Sequence, residues 1–173
     1  VNQVCGSGLR AVISAYQSIK LGEVKSIIAG GQENMSIAPH SIFYRDKKEI
    51  SKDSLIDTLM SDGLIDAFNN YHMGMTAENV AQKFNISRIE QDKFALNSQK
   101  KAEDAYNNNK FDDELIKISH HGNDLNKDEH LRVGLKLSDL EKLNTAFKEN
   151  GTVTAGNSSG INDGAAALLL TTS

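Results

Sequence analysis

Hydrophobic and polar positions at the start of the chain follow a strand, helix, strand order. Residues 1–4 are strand-like. From Leu9 to Ile19, apolar residues recur every three or four positions, the spacing of an amphipathic helix, and Gly22 supplies its stop. Residues 26–29 then predict a buried strand that ends at a pair of glycines. This order predicts a βαβ unit of an α/β protein.

The middle of the chain, from about residue 37 to residue 152, has a mostly helical pattern with polar connectors. Ser87 and Glu90 match a capping box, which opens a helix that runs to about Tyr106. The other predicted elements are helices at 51–60 and 76–84, a helix that starts at Ser138-Asp139-Leu140-Glu141, a short strand at 115–118 and a polar loop at 119–132.

The end of the chain returns to strand-like patterns, with a glycine-rich turn at 156–160 and a buried strand at 165–170. The sequence therefore predicts an α/β fold with a mostly helical insertion. We assign residues 1–36 to the core, residues 37–160 to an inserted loop domain, and residues 161–173 to a return strand of the core.

Composition narrows the functional classes. Hydrophobic residues make up 39% of the 173 positions and charged residues 24%, enough to bury a core. A net charge of −4, with no basic run and no Trp, argues against nucleic-acid binding. No apolar stretch approaches the roughly 18 residues of a membrane span. A single cysteine can form neither an intramolecular disulfide nor a cysteine-based zinc site, which predicts a reducing, cytoplasmic location.

The lone cysteine, Cys5, is the first candidate for chemistry. It lies where a strand turns into a helix, so the positive end of the helix dipole would stabilise its thiolate. Gly6 and Gly8 leave room for a substrate to approach. A buried, inert cysteine is the alternative. His72 lies just before a predicted helix, and its position alone does not separate a catalytic from a structural histidine.

Two other segments invite ligand-binding hypotheses. Asp124, Asn126 and Asp128 start like a calcium loop, but Glu129 and Leu135 stand where glycine and glutamate are needed, so we predict a solvated loop and no metal site. The glycine-rich turn at 156–164 could hold a polar ligand against its backbone N–H groups, although it fits neither the dinucleotide nor the P-loop fingerprint.

Taken together, the motifs resemble those of the thiolases. The resemblance covers the whole chain in order, through several specific motifs at fitting distances. These motifs are Val1-Asn2-Gln3-Val4-Cys5-Gly6-Ser7-Gly8, Gly30-Gly31-Gln32-Glu33-Asn34-Met35-Ser36, Ala38-Pro39-His40, Asp66-Ala67-Phe68, Tyr71-His72-Met73-Gly74, Thr76-Ala77-Glu78-Asn79, and Asn157-Ser158-Ser159-Gly160-Ile161-Asn162-Asp163-Gly164 within residues 152–167.

The resemblance implies a fold of two similar βαβαβαββ halves, with a large loop domain inserted in the first half. It implies an acyl-CoA acyltransferase that condenses two acetyl-CoA molecules to acetoacetyl-CoA, or cleaves the product by thiolysis. Coenzyme A thioesters would be substrates, and no separate cofactor is implied. The family also forms dimers or tetramers, so a homo-oligomer is expected.

Carried over by position, the resemblance assigns Cys5 as the nucleophile that holds the acyl group as a thioester. His72 and Met73 would lie by the pantetheine and acyl pocket, and Ser159 would hydrogen-bond the pantetheine arm. The residues that would line the CoA channel or lie near the CoA nucleotide are Leu64, Ala155, Phe147 and Arg132. An acidic chain needs such a local cation to bind a polyanion.

The chain also departs from the family pattern. Thiolases continue for well over a hundred residues beyond this point, and that half carries a Gly-His-Pro histidine and a second catalytic cysteine. None of the five histidines here precedes a proline, and there is no second cysteine. We therefore expect a fragment that lacks the C-terminal catalytic half, and we expect these 173 residues alone to have negligible turnover.

The sequence leaves two alternative functions open. A ketoacyl synthase relative would share the broader fold and the nucleophilic cysteine. A non-catalytic CoA-binding or assembly module would use the helical insertion for partners. The charged tract Asp46-Lys47-Lys48-Glu49 would be an assembly loop or an ordinary exposed loop.

Overall fold

The computed structural model of the chain describes residues 1–45, 51–120 and 122–172. These residues form two compact units, one made of residues 1–65 with the return segment from 161, and one made of residues 66–160. The second boundary coincides with the predicted return to the core. Residues 37–65, which the sequence analysis placed in the insertion, cluster with the first unit.

The first unit is built on a helix and an antiparallel pair of long strands. Its helix follows the predicted pattern and ends before Gly22, whose φ of +74° suits a glycine. No strand forms over residues 1–4; an isolated bridge joins Gln3 to Cys5 instead. The elements of this unit are α1 (Ser7–Lys20), β1 (Ser26–Asn34), β2 (His40–Ser41), β3 (Ile56–Asp57) and β6 (Asp163–Thr171), with 3₁₀ turns at Met35–Ile37 and Lys52–Ser54 and a π-helix at Leu59–Leu64.

Strands β1 and β6 pair over their full length, from Ser26 with Thr171 to Asn34 with Asp163. Helix α1 contacts both strands, and Ala15 of the helix and Ala29 of β1 are buried there. The sequence predicts that the strands at 26–29 and 165–170 are buried. That prediction is wrong, because apolar side chains of both strands are exposed in the described chain. Ile28 is 74% exposed and its partner Leu169 is 68% exposed, because α1 covers one face of the pair.

A polar contact closes the end of this sheet. The backbone N–H of Ser36 donates to the Asp163 carboxylate at 2.9 Å. This bond lowers the pKa of Asp163, since it stabilises the charged form. The predicted helix at 51–60 is wrong: its residues form a 3₁₀ turn, the short strand β3 paired with β2, and the start of the π-helix.

The second unit is mainly helical. The predicted helices at 76–84 and from the Ser87 box are confirmed, the first beginning three residues earlier than predicted. The helix predicted from Ser138 begins at Leu137 and is only five residues long. The predicted loop at 119–132 contains a small hairpin. The elements are α2 (Met73–Phe84), α3 (Arg88–Asn107), β4 (Ile118–His120), β5 (Asn123–Leu125) and α4 (Leu137–Glu141).

The interior of the second unit mixes apolar and polar groups. Ala81, Leu140 and Val153 are its buried hydrophobic residues. Two carboxylates, Glu78 and Asp92, are also buried, and every buried side-chain polar atom in the described parts of the chain has a hydrogen-bond partner. Buried polar contacts are therefore part of the interior of this unit, next to a small apolar core.

Within the described ranges, no helix combines the length and apolar character needed to cross a membrane. The predicted assembly tract at 46–49 lies outside the described residues.

Candidate active site

In the first unit, the candidate site is the turn that carries Cys5. The thiol is exposed, and α1 begins two residues later, at Ser7, with Gly6 as its N-cap. The N–H of Gly6 donates to Gln3 O at 3.0 Å, and the N–H of Ser7 donates to Val4 O at 3.2 Å. The sequence predicts that the positive end of the α1 dipole stabilises the Cys5 thiolate, but the first N–H group of the helix, on Ser7, is used by the turn itself.

The Ser7 hydroxyl stabilises the same turn through two hydrogen bonds. It donates to Val4 O at 2.7 Å and accepts a hydrogen bond from the Gln3 N–H at 2.8 Å. Val4 has a φ of +52°, a left-handed conformation that is unusual for a β-branched residue. Such backbone strain costs on the order of 1–3 kcal/mol and is typical of functional sites. The residue before the candidate nucleophile is thus held in a strained conformation by neighbouring hydrogen bonds.

A second set of predicted site residues lies at the start of α2, in the second unit. His72 is the N-cap of α2, and its Nδ1 accepts a hydrogen bond from the Gly74 N–H at 2.9 Å. Because that nitrogen acts as an acceptor, the proton of the neutral ring is on Nε2. Met73 is 45% exposed, and the Thr76 hydroxyl lies 3.9 Å from its sulfur. His72 thus presents a hydrogen-bond donor next to an exposed thioether.

Phe147 packs against this helix start. Its ring stacks on the His72 imidazole, with centroids 4.6 Å apart and planes at 23°. The contact depends on Gly74, since a Cβ at that position would lie 2.3 Å from the Phe147 ring. A residue with any side chain at position 74 would displace the aromatic ring.

The loop at 152–160 is anchored to α2 by Glu78. The Glu78 carboxylate accepts hydrogen bonds from the backbone N–H groups of Thr152 and Val153, both at 2.8 Å, and from the Thr152 hydroxyl at 3.0 Å. Burial by itself would raise the pKa of Glu78, but these bonds and the nearby Lys148 outweigh it, so the pKa is lowered. Glu78 is therefore a charged carboxylate whose hydrogen bonds attach the loop at 152–160 to α2.

Asp92 of α3 anchors the same loop from a second side. Its Oδ1 accepts a hydrogen bond from the Asn157 side-chain amide at 2.9 Å, and its Oδ2 accepts one from Arg88 Nε at 2.7 Å. Asp92 is completely buried. Between residues 151 and 160, only Ala155 and Ser159 are exposed. The anchored loop thus turns outward the two residues that the family resemblance assigns to CoA.

The remaining predicted site residues are more dispersed. Leu64 ends the π-helix of the first unit and is half-buried. Arg132 has an exposed side chain, while its backbone N–H donates to Gln99 Oε1 of α3 at 2.8 Å. Within the second unit, His72 and Phe147 are in direct contact, Met73 follows His72 in the chain, and Ala155 and Ser159 share one loop.

Sequence reasoning did not single out the buried carboxylates Glu78 and Asp92. Glu78 lies within a motif that carried the family resemblance, which is the signal that could have drawn attention to it. Asp92 follows Arg88 by one helical turn, a spacing that predicts an ion pair but not its burial. Their roles depend on contacts with residues more than 60 positions away along the chain.

Comparison with known proteins gives one consistent result. The sequence profile of the family described as thiolase, N-terminal domain, matches residues 1–173. An acetyl-CoA acetyltransferase from Paracoccus denitrificans is 51% identical over 176 residues, which cover 99% of this chain and 45% of that protein.

Two solved structures agree with this match. The acetyl-CoA acetyltransferase from Syntrophomonas wolfei has a TM-score of 0.90 and 40% identity, and human mitochondrial 3-ketoacyl-CoA thiolase in complex with CoA has 0.89 and 39%. In each case the match covers 98% of this chain and 43% of the other. The chain thus spans less than half the length of the proteins that it matches.

Proposed function

This chain belongs to the thiolase family, and on that premise we propose that it supplies the nucleophile and the CoA-binding loops of an acetyl-CoA acetyltransferase. The observation that carries the proposal is the exposed thiol of Cys5 on a strained, hydrogen-bonded turn directly before α1. A cysteine held in this way is accessible to an acyl donor and close to the positive end of a helix dipole.

In the first stage, the Cys5 thiolate attacks the thioester carbonyl of acetyl-CoA. A bond forms between Sγ and the acyl carbon, the bond between that carbon and the CoA sulfur breaks, and CoA leaves as a thiol after taking up a proton. The oxyanion of the tetrahedral intermediate is stabilised by hydrogen-bond donors around Cys5 other than the Gly6 and Ser7 N–H groups, which the turn itself uses. In the second stage, a base supplied by the C-terminal half that the family resemblance implies takes a proton from the methyl carbon of a second acetyl-CoA. The resulting enolate carbon forms a bond to the acyl carbon, the bond between that carbon and Cys5 Sγ breaks, and acetoacetyl-CoA and the Cys5 thiolate are released.

The second unit binds the thioester substrate in this proposal. Ser159 and Ala155 are exposed on an anchored loop, Met73 is partly exposed, and His72 offers its Nε2 proton as a hydrogen-bond donor. Phe147 supplies apolar surface, and Arg132 supplies a cation for the phosphates. Leu64 belongs to the first unit, and its assignment to the CoA channel is supported by the family resemblance alone. The solved human relative in complex with CoA supports CoA as a ligand of the protein.

We further propose that the active protein is a homo-oligomer of the cytoplasm, that CoA thioesters are its substrates, and that no metal or other cofactor takes part. The family resemblance and the single cysteine support these points. Sedimentation of the native protein would test the oligomeric state, and a monomer at micromolar concentration would contradict it.

The test of the proposed function is acyl transfer to Cys5. The native protein is incubated with isotopically labelled acetyl-CoA, and its peptides are analysed by mass spectrometry. We expect the label on the Cys5 peptide, removable by hydroxylamine as a thioester is, and absent from Cys5→Ala. Free CoA should still bind to Cys5→Ala, because the substitution leaves the second unit unchanged.

Two other outcomes would favour the alternatives. Acyl transfer from an acylated carrier protein, but not from acetyl-CoA, would favour a ketoacyl synthase-like enzyme. Saturable CoA binding without any acyl-Cys5 would favour a non-catalytic CoA-binding module. Labelling elsewhere, with Cys5 unmodified, would exclude the proposed mechanism.

A further inference from the structure

The side-chain amide of Asn157 uses its hydrogen-bonding capacity within its own loop and toward α3. Its Oδ1 accepts a hydrogen bond from the Thr154 N–H at 2.8 Å. Its Nδ2 donates to Thr152 O at 3.1 Å and to Asp92 Oδ1 at 2.9 Å. One amide therefore ties together two backbone groups of the loop and one buried carboxylate. Rotation of this amide would break all three bonds at once.

Asp92 is itself fixed on its other side. The guanidinium of Arg88 donates to Asp92 Oδ2 through Nε, and its Nη2 donates to Leu140 O at 2.6 Å and to Leu143 O at 3.1 Å. The Asp92 carboxylate thus lies between the Arg88 guanidinium, which is bound to carbonyl groups at the end of α4, and the side-chain amide of Asn157. Because both of its oxygens are engaged and it has no exposed surface, Asp92 has one available orientation.

The consequence is seen in what the loop exposes. Thr154 is buried, and its carbonyl oxygen accepts a hydrogen bond from the Ser158 hydroxyl at 2.7 Å. This bond closes a folded segment that runs from Thr154 to Ser158. Ala155 lies within this folded segment and Ser159 directly follows it, and both residues are exposed. Their orientation depends on the bonds made by Asn157, since the residues between them are held inward by those bonds.

We propose that Asp92 is a positioning residue for thioester binding: it orients the Asn157 amide and thereby sets the placement of Ser159 and Ala155 against the pantetheine arm of CoA. This inference rests on the proposed function for the ligand. It predicts a selective effect, because the loop faces the pantetheine arm while Arg132 lies on a separate segment and serves the nucleotide.

The test uses isothermal titration of the native protein with two probes, CoA and adenosine 3′,5′-bisphosphate, which lacks the pantetheine arm. Asn157→Asp places two carboxylates against each other at the Asp92 contact. We expect it to weaken CoA binding by about tenfold or more, as an unsatisfied buried contact does, while binding of the bisphosphate changes by less than about twofold. The double variant Asp92→Asn/Asn157→Asp removes the repulsion between the two carboxylates and should recover part of the CoA affinity; the recovery is incomplete because a carboxylate at position 157 cannot donate to Thr152 O.

Asn97→Asp is the matched control, because it adds the same charge at an exposed position of α3. It should leave the binding of both probes unchanged. Where Asn157→Asp fails to fold, Asn157→Ser removes the amide without adding charge and should show the same selective loss. Equal weakening of both probes, or unchanged CoA affinity in Asn157→Asp and Asn157→Ser, would overturn the inference while the proposed function stands. Absence of CoA binding by the unsubstituted protein would overturn both.

Discussion

Phe147 stacks on the imidazole of His72, and this contact is possible because Gly74 presents only a hydrogen atom to the aromatic ring. The same imidazole caps α2 through Nδ1, so one residue both starts the helix and carries the aromatic contact. Helix capping and ring packing at this point are therefore mutually dependent.

Gly74→Ala should disrupt this arrangement. The added Cβ would lie 2.3 Å from the Phe147 ring, so the ring must move and lose its stacking with His72. We expect a loss of about 1–3 kcal/mol in the free energy of unfolding, typical of overpacking. Chemical denaturation followed by circular dichroism measures this. Gly63→Ala is the control, because a Cβ there meets no atom within 4 Å. Equal stability of the two variants would contradict the prediction.

Ser87→Ala should weaken the start of α3. Ser87 Oγ accepts the Glu90 N–H at 3.4 Å, and the Glu90 carboxylate accepts the Ser87 N–H at 2.7 Å. Loss of an N-cap of this kind costs about 1 kcal/mol. The matched control, Ser98→Ala, makes the same change at an exposed position inside the same helix and should not destabilise it. A smaller effect at position 87 than at position 98 would show that the cap is dispensable.

Stability of the second unit should fall in acid because of Glu78. Its pKa is lower in the folded state than its ordinary value of 4.5, so it stabilises the fold above that value. The contribution is lost as the pH falls through the folded-state pKa, when the carboxylate is protonated. Urea midpoints measured from about pH 7 down to about pH 3 would follow this loss.

Glu78→Gln should be less stable than the unsubstituted protein at neutral pH, and part of the acid dependence should disappear with the charge. The exposed Glu114→Gln is the control and should change neither quantity. If Glu78→Gln keeps the full acid dependence, the anchor assigned to Glu78 does not control it.

Gly30→Ala should disrupt the pairing of β1 with β6. A Cβ at position 30 would lie 2.3 Å from the Ala166 carbonyl oxygen, which is backbone and cannot rotate away. We expect a loss of at least about 2 kcal/mol and faster amide exchange in both strands. Gly164→Ala, in β6, is the control, since a Cβ there meets nothing within 4 Å. Unchanged exchange in Gly30→Ala would rule out this close approach.

Local signals were sufficient for most helices. The capping box at Ser87 and Glu90 correctly located the start of α3, and the apolar spacing after Leu9 located α1. These predictions succeeded because propensity and capping act over a few residues. The short 51–60 segment failed, because its strand forms only by pairing with His40 and Ser41.

Burial and site geometry were less accessible to sequence reasoning. The apolar runs of β1 and β6 predicted buried strands, yet Ile28 and Leu169 are exposed in the described chain because one face of the pair has no helix over it. The candidate nucleophile and the histidine could be identified from motifs. The contacts of Glu78 and Asp92 could not, since partners far along the chain determine them.

The pairing of β1 with β6 also determines the order in which the molecule can form. Asn34 pairs with Asp163, so roughly 130 residues must be made between even the nearest partners, and such long-range pairing folds slowly. The second unit, residues 66–160, is one continuous segment whose helices and anchoring carboxylates are all present before β6 leaves the ribosome. During synthesis, α1 can pack on β1 at once, but the backbone groups of β1 that pair with β6 stay without that strand until residues 163–171 are made.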